Sequence, residues 1–290
     1  MIRISTYNIR YDAEKDQHNS WKNRKHLTIG NIVFLGASVI GLQECLHNQI
    51  EEIKSELKNK YGLNYSYVGN GRDDGKTHGE YSPILYNNDV VELIHSHMFW
   101  VSEKAYQPAS RSWDAHCPRV CTWAFLRHKA TGKAFYFLNT HLDHMSELAR
   151  SEGTLMIKSF ISTLDHGIPL CLVGDFNAHT DSTPVKNVLD TKQSSSLAHK
   201  YLKYLEIPLK DTFSFQTLYN AKSITQIKIG PDATFTGFDL AWKEDIDHVF
   251  VNSKFKVQSF VVFNNHPQNV STKTTIASDH LPVVSDLIFN

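Results

Sequence analysis

The sequence has no long apolar run. The longest ones, such as residues 168–173 and 260–263, are far shorter than the roughly 20 residues that cross a bilayer. It also has no basic N-terminal segment followed by an apolar stretch and a small-residue cleavage site, because residues 1–9 already have the pattern of a β-strand. We therefore expect no membrane span and a cytoplasmic location.

Cysteine is scarce, with four residues in 290 and no CxxC pair. Cys45, Cys117, Cys121 and Cys171 are widely spaced and have apolar neighbours. A zinc site or a disulfide framework is typically marked by paired or clustered cysteines. The pattern therefore favours reduced thiols buried in a core.

An excess of either charge is absent too, because 30 basic and 30 acidic residues cancel. The whole molecule therefore offers no general electrostatic attraction for a polyanion such as duplex DNA. This balance disfavours a protein that coats DNA. It does not exclude local basic patches, since net charge says nothing about how charge is distributed over the surface.

What the chain does contain is enough apolar sequence, 41% of 290 residues, for a large core. Alternating or short β-rich runs predict strands at residues 2–9, 37–42, 82–86, 90–101, 122–127, 134–140, 168–173, 246–251, 255–263 and 281–289. Helical spacing predicts helices at residues 21–35, 49–61 and 146–164, the second ending at Gly62. Residues 70–79 and 264–278 have the composition of loops, and residues 131–133 that of a hairpin turn.

No composition shift, linker or repeat divides the chain, and strand patterns recur to its last residues. We therefore expect one α/β domain over residues 1–290. Two smaller domains are the alternative, because a chain of this length is compatible with either arrangement.

Polar side chains follow nearly every predicted strand. The residues at these junctions are Asn8, Gln43, Glu44, Asn139, His141, Asp175, Asn177, Asp247, Asp279 and His280. A single polar residue at a strand end is most often a turn former, but several together predict a site. Carboxylate oxygens suit Mg²⁺ or Mn²⁺, whereas zinc would need a denser His or Cys set such as HExxH, which is absent.

The order of these pieces resembles the endonuclease/exonuclease/phosphatase superfamily over the length of the chain. Its most specific elements are Gly-Asp-Phe-Asn at residues 174–177 and Ser-Asp-His-x-Pro at residues 278–282. The superfamily includes DNase I-like nucleases, abasic-site endonucleases, deadenylases, sphingomyelinases and inositol-polyphosphate phosphatases. The resemblance implies a DNase I-like α/β fold, a four-layer sandwich of two sheets with helices on the outer faces.

The resemblance also implies a role for each matching residue. Glu44 is expected to bind the metal, with Asn8 and Asp279 as supporting ligands or close neighbours. Asp175 matches the carboxylate that orients or deprotonates the attacking water. Asn177 matches the neighbouring residue that helps to hold phosphate.

Two histidine–carboxylate pairs are expected to flank that phosphate. His280 matches the histidine that donates to the phosphoryl oxygen, with Asp247 orienting its ring. His141 resembles the second histidine of the DNase I-like and sphingomyelinase branches, and Glu80 falls where those branches place its carboxylate partner. The alternatives are a buried structural histidine and an ordinary surface glutamate.

A further segment, residues 113–123, resembles a mostly bacterial and poorly characterised branch of the superfamily, as do residues 139–144 and Arg150. We expect Arg119 to donate two parallel hydrogen bonds to a phosphate and Trp113 to stack on a base or sugar. Asn139 is predicted with them as a substrate-binding residue. The alternative is core aromatics with a surface arginine.

Two branches of the superfamily fit poorly. Residues 244–248 differ from the Trp-Cys-Asp-Arg signature of inositol-phosphate phosphatases, and His141 stands where abasic-site endonucleases have a tyrosine.

We predict a Mg²⁺- or Mn²⁺-dependent phosphodiesterase that uses in-line attack by water, with a phosphomonoesterase on a small phosphorylated molecule as the near alternative. A catalytically silent scaffold and a non-enzymatic nucleic-acid binder are the rival classes. Selectivity is expected in loops such as residues 70–79 and 191–229, and no protein partner is predicted.

Overall fold

The computed structural model describes residues 1–193, 195–208, 213–239, 241–264 and 274–290. Its strands, in chain order, are β1 (Ile2–Asn8), β2 (Val39–Gln43), β3 (Tyr65–Val68), β4 (Ile84–Asn87), β5 (Val91–Trp100), β6 (Val120–His128), β7 (Ala134–His141), β8 (Leu170–Asp175), β9 (Tyr219–Asn220), β10 (Lys228–Ile229), β11 (Asp247–Val251), β12 (Phe255–Val262) and β13 (Val283–Phe289). Its α-helices are α1 (Trp21–Leu35), α2 (His47–Tyr61), α3 (Glu147–Ile161), α4 (Thr183–Leu189), α5 (Ser195–Tyr204) and α6 (Ala221–Ile224). A short 3-10 helix, Glu14–Asn19, precedes α1.

These strands form two mixed β-sheets. The first sheet has the order β10-β12-β13-β1-β2-β4-β3, and the second has the order β5-β6-β7-β8-β11-β9. The β1–β2 and β7–β8 pairs are parallel, so the carboxyl ends of these strands lie at the same edge of each sheet. The residues that follow these four strands are therefore brought together in pairs.

Three apolar clusters lie between four layers, which are the two sheets and a layer of helices on each outer face. One core cluster, which includes Ile4 and Phe137, fills the space between the two sheets. A second covers the outer face of the first sheet with α1 and α2, and a third covers the outer face of the second sheet with α3, α4 and α5. Strand β8 is buried on both faces, with Val173 in the inner cluster and Leu172 in the outer one, which explains its continuous apolar sequence. The predicted sandwich of two sheets with helices on the outer faces is confirmed.

The ten predicted strands all overlap observed strands, and the three predicted helices correspond to α1, α2 and α3. Gly62 ends α2 as predicted, because it adopts the left-handed conformation with φ 67° and its N–H donates to carbonyls of the last helical turn. Residues 131–133 do connect two antiparallel strands, β6 and β7. Residues 70–79 contain no helix or strand, as expected.

The prediction that residues 191–229 form a second selectivity loop is wrong. This segment contains α5, whose Tyr201 and Leu202 are fully buried in the core cluster that α3 shares. A short helix of this kind owes its stability to packing on a neighbour, which local sequence does not reveal. Strand β3 and helices α4 and α6 were likewise not predicted. Of the predicted loop at residues 264–278, residues 265–273 lie outside the described residues.

Among the described residues, no helix combines the length and the apolar character that crossing a membrane requires. All four cysteines are free thiols. Cys45, Cys121 and Cys171 are buried as predicted, but Cys117 is only half-buried and lines a surface cavity. The prediction of a core thiol is therefore wrong for Cys117, because the segment that carries it folds over the sheet edge rather than into the core.

Candidate active site

A cavity of about 490 Å³ opens where the strand ends of the two sheets meet. Residues after β1, β2, β7 and β8, at the start of β11 and just before β13 supply most of its polar groups. The predicted site residues that line it are Glu44, Glu80, Arg119, His141, Asp175, Asn177, Asp279 and His280. Asn8 and Asp247 lie directly behind this lining and bond to it.

The Gly-Asp-Phe-Asn segment at the end of β8 shows why this sequence builds a site. A side chain on Gly174 would meet the Thr140 carbonyl oxygen of β7 at 2.0 Å, so only glycine allows the two strands to approach there. Phe176 is fully buried and packs edge-to-face on Phe250. Asn177 has a positive φ of 46°, a strained conformation for a non-glycine residue that is often found at functional sites.

Asp175 lies between two histidine rings. Its Oδ2 atom is 3.5 Å from Nε2 of His141 and 3.7 Å from Nε2 of His280. The opposite nitrogen of His280, Nδ1, forms a 2.8 Å hydrogen bond with Oδ2 of Asp247. We call His141, Asp175, Asn177, Asp247 and His280 the histidine cluster.

Burial governs the charge state of this cluster. Burial and the neighbouring Asp247 carboxylate raise the pKa of Asp175, which makes it a stronger base than an exposed aspartate. Burial opposes the charged form of His280, but Asp247 and Asp175 outweigh it and raise its pKa, so the ring stays protonated at neutral pH. Burial and the Arg119 cation lower the pKa of His141, which is therefore neutral.

The tautomer of His141 follows from Asn177. The Nδ2 group of Asn177 must donate, because it bonds the Leu142 carbonyl at 3.0 Å, and the same group lies 3.1 Å from Nε2 of His141. Nε2 is therefore the acceptor, and Nδ1 carries the proton. That proton points toward Oε2 of Glu80 at 3.8 Å, too far for a hydrogen bond.

Three oxygen-bearing side chains, Asn8, Glu44 and Asp279, form a second group that we call the oxygen cluster. Nδ2 of Asn8 donates to Oε1 of Glu44 at 3.2 Å and to Oδ2 of Asp175 at 2.9 Å, so it joins the two clusters. Glu44 has a positive φ of 56° and is therefore a second residue of the site, after Asn177, with a strained backbone. The Ser278 hydroxyl donates to the Asn8 carbonyl at 2.7 Å and thereby ties the Asp279 segment to β1.

The oxygen cluster fits a hard divalent cation. Burial is the main cause that raises the pKa of Asp279, and the negative charge of Glu44 raises it further, although His280, Arg10 and Arg24 oppose the shift. Arg10 is 3.6 Å from Glu44 and 3.9 Å from Asp279, beyond hydrogen-bond distance from both. Oxygen ligands of this kind are those that Mg²⁺ and Mn²⁺ prefer.

A second arrangement of possible ligands exists within the histidine cluster, where Asp175, Asp247 and His280 offer atoms within 4.8 Å of one another. We favour the oxygen cluster. The raised pKa of His280 instead favours an ion pair with Asp175 and Asp247, whose oxygens lie 3.7 and 2.8 Å from its ring nitrogens. Glu44 and Asp279 also line the cavity, whereas Asp247 lies behind it.

Two arginines, Arg72 and Arg119, line the same cavity as Glu44 and Asp279. Arg72 makes two hydrogen bonds to Glu80, at 2.9 and 2.8 Å. Arg119 is 5% exposed, and one of its terminal nitrogens lies 3.0 Å from Nδ1 of His144. In the described part of the chain, Nε and Nη1 of Arg119 and Nε of Arg72 are buried without a hydrogen-bond partner. Such donors are costly unless a ligand satisfies them.

Two predicted substrate-binding residues lie outside the cavity lining. Trp113 is half-buried and packs against Tyr201 and Tyr204 of α5, with ring centroids 6.4 and 6.3 Å apart. Asn139 is fully buried between the sheets and donates to the Leu42 and Pro83 carbonyls at 2.8 and 2.9 Å. These placements differ from the prediction: Trp113 is a packing residue, and Asn139 joins β7 to the first sheet.

Sequence reasoning missed several cavity residues. Arg10, Arg72 and His144 all line it, and the buried Asp143 orders the loop above it by accepting bonds from the backbone of His116 and Cys117 at 2.9 and 3.2 Å. The one available signal was proximity, since Arg10 is two residues after Asn8 and His144 three after His141. The partners of Arg72 are not visible in the sequence.

Residues 5–280 match the model of the Endonuclease/Exonuclease/phosphatase family. The chain belongs to this family. A search of curated proteins found no significant match. Members of the family are phosphoester hydrolases, which include phosphatases, nucleases and phosphodiesterases.

Solved structures of family members agree with the fold. An endonuclease/exonuclease/phosphatase from Bacteroides vulgatus is 32% identical, with a TM-score of 0.84 over 100% of this chain and 99% of that chain. A mannosyl-6-phosphatase from Bacteroides thetaiotaomicron is 28% identical, with a TM-score of 0.84 over 100% of both chains. The human Nocturnin catalytic domain with bound sulfate, at 20% identity and a TM-score of 0.69 over 100% of this chain and 93% of that chain, shares the fold.

Proposed function

We propose that this family member is a divalent-metal-dependent phosphomonoesterase that acts on a small phosphorylated metabolite, with sugar phosphates as the first candidates. The observation that carries this proposal is the buried Arg119, which lines the cavity and whose Nη1 group has no hydrogen-bond partner among the described residues. The 28% identical mannosyl-6-phosphatase supports the same substrate class.

Arg119 favours a monoester over a diester because of charge. A phosphate monoester carries one more ionised terminal oxygen than a diester, and that oxygen needs a donor. Arg119 lines the cavity, and its Nη1 group has no hydrogen-bond partner among the described residues, so it can donate to a phosphate oxygen. The nearby Arg72 adds positive charge, although Glu80 already occupies its two terminal nitrogens.

The size of the cavity favours a small substrate. Its volume of about 490 Å³ lies within the range of small-molecule sites, about 300 to 1,000 Å³. The neutral charge balance offers no long-range attraction for a nucleic acid. These two features favour a metabolite over a polymer.

The histidine cluster supplies groups for in-line hydrolysis. Asp175, whose pKa is raised, accepts a proton from the attacking water, and the side-chain amide of Asn177 holds the His141 ring beside it. Protonated His280, oriented by Asp247, donates to a phosphoryl oxygen as negative charge develops. Asn8, Glu44 and Asp279 would hold the metal, which when bound supplies positive charge to a phosphate oxygen.

The test is hydrolysis of mannose 6-phosphate, p-nitrophenyl phosphate and bis-p-nitrophenyl phosphate with Mg²⁺, Mn²⁺ or EDTA. We expect metal-dependent turnover of the monoesters, slower turnover of the diester, and loss of activity in Asp175→Ala. Asp286→Ala is the matched control, because this carboxylate pairs with Arg3 outside the cavity. Preferential cleavage of the diester would reverse the substrate assignment, and no cleavage of any ester with any metal would favour a silent scaffold.

A further inference from the structure

The side chain of Arg24, in the first turn of α1, is 0% exposed although it carries a permanent positive charge. It is surrounded by backbone carbonyl groups. Nε donates to the Asn19 carbonyl at 2.8 Å, Nη1 to the carbonyls of Ile9 and Ala277 at 2.5 and 3.0 Å, and Nη2 to those of Arg10 and Tyr11 at 2.6 and 3.4 Å. The five N–H groups of one guanidinium therefore hold three separate segments of the chain.

Two of these segments carry the oxygen cluster. Residues 9–11 follow Asn8 directly, and the Tyr11 N–H donates to Oε2 of Glu44 at 3.2 Å. The Arg10 N–H donates to Oδ1 of Asn8 at 3.0 Å and fixes the rotation of that amide. The carbonyls on either side of these N–H groups are the ones that Arg24 binds.

The second of these two segments leads into Asp279. Ala277 is two residues before Asp279, and its carbonyl accepts from Arg24 and from the Thr28 hydroxyl, the latter at 2.6 Å. Asn8 and Asp279 are more than 250 residues apart in the sequence, and Arg24 bonds the backbone next to both.

We propose that Arg24 is a positioning residue that sets the spacing of Asn8, Glu44 and Asp279 and thereby the metal affinity of the oxygen cluster. The inference rests on the metal-dependent function proposed above. Residues that orient metal ligands through such contacts typically change metal affinity about 10- to 100-fold when replaced. Lysine cannot replace arginine here, because its three donors leave from one nitrogen and cannot reach three segments.

The experiment measures Mn²⁺ binding to the purified, metal-free protein by electron paramagnetic resonance of the free ion. We expect Arg24→Lys to raise the Mn²⁺ dissociation constant about 10-fold or more. Lys158→Met is the matched control, because Lys158 is also a fully buried helical cation, but it donates to the Val188 carbonyl away from the cavity. The control is expected to bind Mn²⁺ as the wild type does.

A folded Arg24→Lys protein with wild-type Mn²⁺ affinity would overturn the inference, as would a wild-type protein that binds no Mn²⁺. If Arg24→Lys does not fold, Thr28→Val replaces it, since this change removes one bond to the Ala277 carbonyl and keeps the β-branched shape. Thr28→Val is expected to weaken Mn²⁺ binding several-fold, and an unchanged affinity would contradict the proposal. Because the readout is binding, a wild type that binds Mn²⁺ but hydrolyses no ester contradicts only the proposed function.

Discussion

The oxygen cluster and the histidine cluster share one cavity, but their charged side chains differ in exposure. The side chains of Glu44 and Asp279 are 13% and 12% exposed, whereas those of Asp175, Asp247 and His280 are 2%, 0% and 4% exposed. A cation must exchange ligands with solvent, so its site needs access. Charges in a drier environment interact more strongly, which explains why the pKa shifts of Asp175 and His280 arise in the histidine cluster.

This comparison predicts that the two clusters control different quantities. The oxygen cluster is expected to set the metal affinity, and the histidine cluster is expected to set the rate of the chemical step at saturating metal. Asn8 is expected to affect both the metal affinity and the rate of the chemical step, because its Nδ2 group bonds to both Glu44 and Asp175. The following predictions begin with the largest expected effect.

His280→Gln is expected to lower kcat by about 10²- to 10³-fold at saturating metal, because it removes the charged donor to the phosphoryl oxygen. The measurement is steady-state hydrolysis of p-nitrophenyl phosphate. His248→Gln is the control, since this buried histidine bonds the Ala178 carbonyl and does not line the cavity. Equal loss of activity in both variants would mean that His280 contributes packing rather than catalysis.

Glu44→Gln is expected to raise the metal concentration for half-maximal activity at least about 10-fold, because it removes a charged ligand. At saturating metal, kcat should fall much less. Glu80→Gln provides the contrast, since Glu80 faces Arg72 and His141 rather than the oxygen cluster. A shift in metal dependence for Glu80→Gln as large as that for Glu44→Gln would break the proposed separation.

Arg119→Lys is expected to raise KM for a monoester about 10- to 100-fold, because charge-assisted hydrogen bonds contribute about 1.5 to 3 kcal/mol. The ratio of monoesterase to diesterase activity should fall, because lysine cannot replace the planar guanidinium donors of arginine. Kinetics with p-nitrophenyl and bis-p-nitrophenyl phosphate measure both quantities. An unchanged ratio would remove Arg119 from substrate selection.

Lys158→Met is expected to change only stability, by a few kcal/mol at most. Burial lowers the pKa of Lys158 to about 8 from 10.5, so the unfolded chain binds more protons between these values. The stability of the wild type relative to the variant should therefore rise as pH increases from about 8 to 10.5. Melting temperatures of both proteins at pH 7 and pH 10 measure this, and a difference that does not change with pH would contradict the shift.

Much of the candidate site was predictable because its residues occupy strand ends. Asp175 and Asn177 follow an apolar run that reads as a strand, and Asp279 and His280 precede another. Strand ends in α/β proteins converge by topology, so local patterns suffice to place such residues near one another. Arg24 and Arg72 could not be predicted, because their partners lie on backbone or loops that only folding brings near.

The sequence by itself determined the alternation of apolar strands, the three long helices and the polar residues at the strand ends, because these depend on neighbours within one turn or one strand. Tertiary structure decided which of those polar residues face the cavity. Asn139 has the same local signal as Asp175, yet the packing of β7 against the first sheet directs its amide to the Leu42 carbonyl. The burial that raises the pKa of Asp175 and leaves Nε and Nη1 of Arg119 without hydrogen-bond partners arises only when both sheets close on each other.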